Sequence, residues 1–244
     1  MTEEQSGRDL LVRYLQQRVE LGEREWYGVE WEAAVELVER LRSRDAAAPA
    51  MSDVFDAFRS EVLACTRCRL SRGRTTVVFG EGDRHADLMV VGEAPGFEED
   101  RSGRPFVGPA GQLLDKMLLA IGFQRADVFI CNILKCRPPN NRDPLPDEVA
   151  SCRPYLCRQV ELVEPKAIGA LGRFAAQTIL GLQTSLGRMR GATHEFMGIP
   201  VVVTYHPAAL LRNQGWKRAA WEDLQQLRCV YDEAGGRAPR ESDG

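Results

Sequence analysis

Apolar residues recur at helical spacing near the start of the chain, as Leu11, Tyr14, Leu15 and Val19, then as Trp31, Ala34, Val35, Val38 and Leu41. Side chains three and four apart share one helix face, so the pattern predicts two amphipathic helices that form an N-terminal extension over residues 1–50. The run Asp45–Ala50 reads as its linker. Ser52 reads as the N-cap of a third helix carrying Val54, Phe55, Phe58 and Val62. The period then changes. Leu88–Val91, Val128–Ile133, Ala167–Leu171 and Pro200–Thr204 are short apolar runs of the kind found in strands covered on both faces. Between and after them, Gln112–Ile121, Asp147–Leu162, Arg173–Leu180 and Ala219–Tyr231 read as helices. Strands alternating with helices predict an α/β fold of three α/β/α layers around a central, mostly parallel four-stranded sheet. The main domain is expected over residues 51–232, followed by a disordered tail at 233–244.

Composition changes this picture in two places. At 244 residues and 44% hydrophobic, the chain can bury one sizeable core. It has no run of about 18 apolar residues, and its first nine positions are polar and acidic, so no membrane span or targeting peptide is expected and a cytoplasmic setting is. A formal net charge of -3 gives no bulk attraction to nucleic acid. The distribution is uneven, however, with 7 Lys+Arg against 11 Asp+Glu in residues 1–50 and 25 against 24 in the remainder. Arg67, Arg69, Arg72 and Arg74 make a short basic run that reads either as the edge of a nucleic-acid groove or as a solvated loop.

Seven cysteines in a reducing compartment point to metal ligands or core thiols rather than disulfides. Cys65, Cys68, Cys136 and Cys152 stand as C-x2-C-x67-C-x15-C and bracket the runs GEAPG (92–96) and PFVG (105–108). Four thiolates suit an iron–sulfur cluster or a structural zinc, and spacing alone does not choose. Cys131 and Cys157 read as buried thiols, although Cys157 could replace Cys152, and Cys229 lies outside the pattern. In parallel sheets ligands sit at the carboxyl ends of the strands, where GEAPG, Asn132 and His206 all fall.

From about Cys65 to Leu227, a further set of motifs stands in order: Glu99-Asp100, GRPFVG, AGQLLD, NILKCRPPNNR from Asn132, Cys152-Arg153-Pro154, and YHPAALLR from Tyr205. In these the chain resembles the family 4 uracil-DNA glycosylases, the iron–sulfur type of bacteria and archaea. The resemblance implies a monofunctional enzyme that removes uracil from single- or double-stranded DNA and starts base-excision repair, acting as a monomer. It implies a 4Fe-4S cluster on Cys65, Cys68, Cys136 and Cys152, with a structural role. His206 would donate to uracil O2 as the base departs, Asn132 would read the base edge, Phe106 would stack on it, and the backbone of Gly92, Glu93 and Ala94 would line it. Glu93 is the candidate for placing water or stabilising the cationic sugar. The corresponding turn in family 1 enzymes reads GQDPYH, and its water-activating and thymine-blocking positions are here Ala94 and Gly96. Glu99 is therefore considered for thymine exclusion. Leu210 or Leu211 is expected to fill the stack vacated by the base, with Arg212 and Lys217 on phosphates. Lys135 leaves a strand-cleaving activity formally open. Other readings are the same fold acting on hypoxanthine, or a non-catalytic iron–sulfur protein that binds DNA or senses redox state. Residues 1–50 are a candidate docking surface for a repair partner.

Overall fold

The computed structural model describes residues 25–26, 29–30 and 51–238; the two helices expected in residues 1–45 and the last six residues lie outside the described ones. The chain divides into two compact units, Met1–Val54 and Phe55–Gly244. In the first, strands β1 (Glu25–Trp26) and β2 (Val29–Glu30) pair antiparallel, with Trp26 opposite Val29. Helix α1 spans Met51–Leu63, so Ser52 lies within it rather than before it.

The second unit is built on a six-stranded sheet of order β3-β5-β4-β6-β8-β7. Its centre is the four strands read from the sequence: β4 (Leu88–Gly92), β5 (Val128–Asn132), β6 (Ala167–Leu171) and β8 (Ile199–Thr204), parallel throughout. Every residue of β4, β5 and β6 is buried, as strands covered on both faces require. Two antiparallel edge strands extend the expected four. β3 (Glu81–Gly82) pairs with β5, and β7 (Thr193–Phe196) pairs with β8. The β7–β8 hairpin turns at Met197 and Gly198, with φ of 54° and 79°, the positive pair that a two-residue turn needs to match strand twist.

Helices cover both faces. On one, α3 (Pro109–Ala120) and α8 (Lys217–Glu233) bring Leu114, Met117, Leu118, Leu224 and Leu227 against Leu88, Val90, Val128, Ile130 and Val202. On the other, α1 and α4 (Pro146–Val163) build an aromatic cluster in which Phe55 meets Phe79 and Phe129 edge-on, and Phe58 meets Phe79 and Tyr155. Short helices α2 (Phe97–Ser102), α5 (Arg173–Leu180), α6 (Leu186–Met189) and α7 (Pro207–Arg212) follow the strand ends or lead into the hairpin.

The chain after α8, expected to be free, is tied back to the body at least as far as Arg237. Its backbone N–H and guanidinium both reach Asp87, at 2.9 and 2.7 Å, and its carbonyl accepts from the Tyr231 hydroxyl at 2.7 Å. Among the described residues no helix is long and apolar enough to cross a membrane.

Candidate active site and metal centre

Because β4, β5, β6 and β8 run parallel, their carboxyl ends deliver Glu93, Asn132, Gly172 and His206 to one side of the sheet. A cavity of about 520 Å³ opens there, lined by Glu93, Ala94, Phe106, Asn132, His206 and Arg212 among others. Gly92 lies buried beneath it. An added Cβ at Gly92 would stand 2.4 Å from both Asn132 Oδ1 and Phe106 Cζ, so glycine is required here for space, letting ring and amide converge.

Asn132 is 1% exposed, and its Oδ1 is a buried side-chain oxygen with no hydrogen-bond partner. A buried acceptor of this kind costs free energy unless a ligand supplies the donor. Phe106 sits at φ 52°, a left-handed conformation that costs a bulky residue about 1–3 kcal/mol and must be held from outside. Arg125 holds it by donating to the carbonyls of Phe106 (3.2 Å) and Pro105 while pairing with Asp115 at 3.1 Å. The Phe106 ring lies 5.5 Å from that of His206, inclined by 29°.

His206 caps α7: its Nδ1 accepts the Ala208 N–H at 3.2 Å. In a neutral ring the proton must then reside on Nε2, leaving Nε2–H as a donor. The ring is neutral at pH 7, because burial first and the nearby Arg212 second pull its pKa down to about 4, against the opposing pull of Glu99. Behind it, the buried Asp223 of α8 receives a bidentate bond from Arg190 (2.7 and 2.9 Å) and the Thr204 hydroxyl at 2.7 Å. Arg190 also donates to the Tyr205 hydroxyl at 3.1 Å, so the end of β8 is pinned on both sides of the backbone leading into His206. Glu93 is pushed up to about 7, chiefly by burial and then by the Asp143 carboxylate, with Arg173 opposing.

The structure narrows three assignments. Glu99, considered for thymine exclusion, stands in the cavity wall and uses both carboxylate oxygens as acceptors: Oε2 for the Gly96 N–H (3.1 Å), Oε1 for the Val107 and Gly108 N–H groups (2.9 and 3.0 Å). It straps GEAPG to PFVG. Leu210 is 2% exposed and packs in the core, whereas Leu211 is 42% exposed, so of the two only Leu211 stands at the surface. Lys135 is buried, its ammonium engaged by the Asn132 carbonyl at 2.7 Å and by Gln159 Oε1, and it is not part of the cavity wall. Arg212 and Lys217 are exposed. Asp143, Arg173 and Trp216 also line the cavity, and no motif pointed to them. Trp216 stacks on Tyr205 at 4.9 Å, an arrangement visible only once the loop after α7 is folded.

Cys65, Cys68, Cys136 and Cys152 line one small cavity together with Arg74, Lys135 and Tyr155. Cys157 is not part of its wall; Cys131 is buried in β5 and Cys229 exposed on α8. N–H donors face the sulfurs: Arg67 to Cys65 (3.4 Å), Arg74 to Cys136 (3.2 Å) and Lys135 to Cys152 (3.4 Å). Burial pushes Cys152 up to about 11 and raises Cys136, so a metal must displace their protons. Among the described residues no three His, Cys, Asp or Glu side chains converge as a group that could hold a metal ion. Zinc draws its thiolates to about 2.3 Å from one point. Four soft sulfur donors around one cavity are a donor set suited to an iron–sulfur cluster or to zinc. Members of the basic run border this centre: Arg67 pairs with Glu61 at 2.9 Å and lies over the Tyr155 ring, Arg69 pairs with Asp147 at 2.6 Å, and Arg74 reaches Cys136.

Residues 79–225 match the uracil DNA glycosylase superfamily. A type-4 uracil-DNA glycosylase of Archaeoglobus fulgidus is 48% identical over 175 residues, covering 68% of this chain and 88% of that protein. One of Thermotoga maritima is 41% identical over 187 residues, covering 75% and 97%. A type-5 uracil-DNA glycosylase of Pyrobaculum aerophilum is more distant, at 34% over 215 residues, covering 74% and 94%. With a profile match across most of the sheet and such identities over nearly whole relatives, the chain belongs to the uracil DNA glycosylase superfamily, within its type-4 family.

Proposed function

We propose that the protein hydrolyses the N-glycosidic bond of deoxyuridine in DNA, releasing uracil and leaving an abasic site as the first step of base-excision repair. The observation that carries this reading is the orphaned Asn132 Oδ1, buried beside a phenylalanine ring and a neutral imidazole in one cavity. Uracil offers N3–H and a carbonyl O4, to which an amide matches with its oxygen accepting and its nitrogen donating. Cytosine offers the opposite groups at both places and would leave the buried amide unpaired. Sites built on such bonds discriminate by about 10⁴–10⁵.

A base stacked in DNA must be extruded to reach the cavity. Phe106 supplies an apolar face for it, Leu211 fills the vacated stack, and Arg212 and Lys217 hold flanking phosphates. As the C1′–N1 bond breaks, its electron pair passes to uracil and the sugar acquires oxocarbenium character. His206 Nε2–H donates to O2 of the departing anion, a preorganised contact of a kind that contributes about 2.7–4 kcal/mol. Glu93, as carboxylate, faces the cationic C1′ and orients the water whose oxygen closes the new bond there, the proton that this water gives up ending on the uracil anion. With Lys135 sequestered, water ends the reaction and no strand cleavage follows.

Cys65, Cys68, Cys136 and Cys152 would hold a 4Fe-4S cluster, which when bound clamps the end of α1, the exit of β5 and the start of α4. The test is to incubate metal-loaded protein with single-stranded oligonucleotides that differ only in carrying deoxyuridine, deoxycytidine, thymidine or deoxyinosine, and to identify the freed base by chromatography. Uracil alone is expected. Hypoxanthine at a comparable rate, or no base from any strand, would contradict the reading.

A further inference from the structure

Lys135 takes no part in the chemistry above, yet it is a lysine at 2% exposure whose two oxygen acceptors, the Asn132 carbonyl and Gln159 Oε1, are both neutral. Burying an ammonium among neutral groups is unfavourable unless charge of opposite sign lies close by. The cysteine layer supplies it once loaded, because four thiolates outweigh the positive charge of the metal they bind; Lys135 lines the cavity that the four cysteines share, and its backbone N–H donates to Cys152 Sγ at 3.4 Å.

The surrounding bonds give this contact a direction. Ile133 N–H donates to the Gly92 carbonyl at 3.0 Å and Leu134 N–H to the Glu93 carbonyl at 3.1 Å, so the chain leaving β5 stays paired with the GEAPG turn. The Lys135 carbonyl accepts from Val78 N–H at 2.8 Å, and Gln159 Nε2 donates to the Phe79 carbonyl at 2.8 Å. Five residues, Asn132 to Cys136, thus run from the orphaned amide to a metal thiol, and the Lys135 side chain folds back across them to grip Asn132.

We infer that Lys135 is a positioning residue through which the loaded cysteine centre holds the Asn132 amide in register for the base. The inference rests on Asn132 reading the base. Without metal the ammonium loses its counter-charge, its grip on the Asn132 carbonyl loosens, and base recognition weakens before the sheet does.

The test compares Lys135→Met with the parent protein in iron content, visible absorbance, melting, inhibition by free uracil, and KM and kcat for uracil release. Expected are retained iron, inhibition by free uracil weakened about tenfold, as for one lost charge-assisted hydrogen bond, and a matching rise in KM with a smaller change in kcat. Lower melting with parent-like uracil inhibition and KM would mark a purely structural lysine and overturn the inference. Should Lys135→Met not fold, hydrogen exchange of the parent protein during metal removal decides. Earlier exchange at 132–136 than in β4 and β6, together with lost uracil inhibition, supports the coupling; even exchange, or undiminished inhibition without metal, overturns it. Asn132→Ala separates the two layers of argument. If that variant frees uracil at the parent rate, the reading of Asn132 itself fails. If it is inert while Lys135→Met is inhibited like the parent, only the role of Lys135 falls.

Discussion

Replacing Gly92 by alanine adds one methyl group at the point where the site has no room for it. The new Cβ would stand 2.4 Å from Asn132 Oδ1, 2.4 Å from Phe106 Cζ and 2.7 Å from Phe106 Cε2. Carbon atoms settle at about 3.5–4.0 Å, so amide and ring must each retreat by about 1 Å. Neither is free to do so. Phe106 is held at φ 52° by Arg125, and its carbonyl is packed so closely on α3 that a Cβ at Gly111 would lie 1.8 Å from it. Asn132 pairs in register with Gly92 itself across β4 and β5. Overpacking of this kind costs about 1–3 kcal/mol of stability, whereas a misplacement of about 1 Å among substrate-binding groups costs about 100-fold in rate. Gly92→Ala should therefore melt only modestly lower while uracil release from a single-stranded oligonucleotide, followed by chromatography of the free base, falls about 100-fold. Parent-like release from a folded Gly92→Ala protein would refute the convergence of Phe106 and Asn132 on the base.

Glu93, raised to about 7, predicts an acid limb in kcat/KM: activity climbs with pH as the carboxylate forms and levels above about 7, while His206, neutral above about 4, adds no break in that range. Glu93→Gln should lower the plateau and flatten the limb; an identical limb in that variant would remove Glu93 from the reaction. Leu211→Ala should slow release from duplex DNA about tenfold or more and from single strands much less, since only a duplex demands that a lost stack be filled; equal losses in paired rate assays would count against the wedge. Glu99→Ala strips the acceptor from three backbone N–H groups, so it should lower stability by at least about 1.5–3 kcal/mol in chemical denaturation. A stability like that of the parent would mean the strap between GEAPG and PFVG is dispensable.

The sheet centre was legible because β4, β5 and β6 are buried at every position, and unbroken apolar runs carry that information directly. The edge strands were not: β3 is two residues long, and β7 shows a mostly polar, partly exposed pattern. Asn132 and His206 were readable as strand-end residues within specific motifs. Their supports were hidden by chemistry that looks like surface. An E-E-D run reads as solvated, yet Glu99 serves three backbone amides, and Asp100, 4% exposed, receives the Thr75 N–H at 2.9 Å. Adjacent leucines are equivalent as letters, but successive helix positions point to different sides, which is why Leu210 enters the core and Leu211 does not. Lys135 offered no pattern, because only the fold brings Gln159 and Cys152 of α4 beside it.

The most direct test of the central claim, that a neutral His206 donates Nε2–H to the departing uracil, is a single-turnover rate with enzyme in excess over a deoxyuridine-containing strand, for parent and His206→Ala proteins with equal iron content. The account predicts a loss of about 10²–10³-fold in the rate of uracil release with DNA binding retained. A rate equal to the parent's would contradict it.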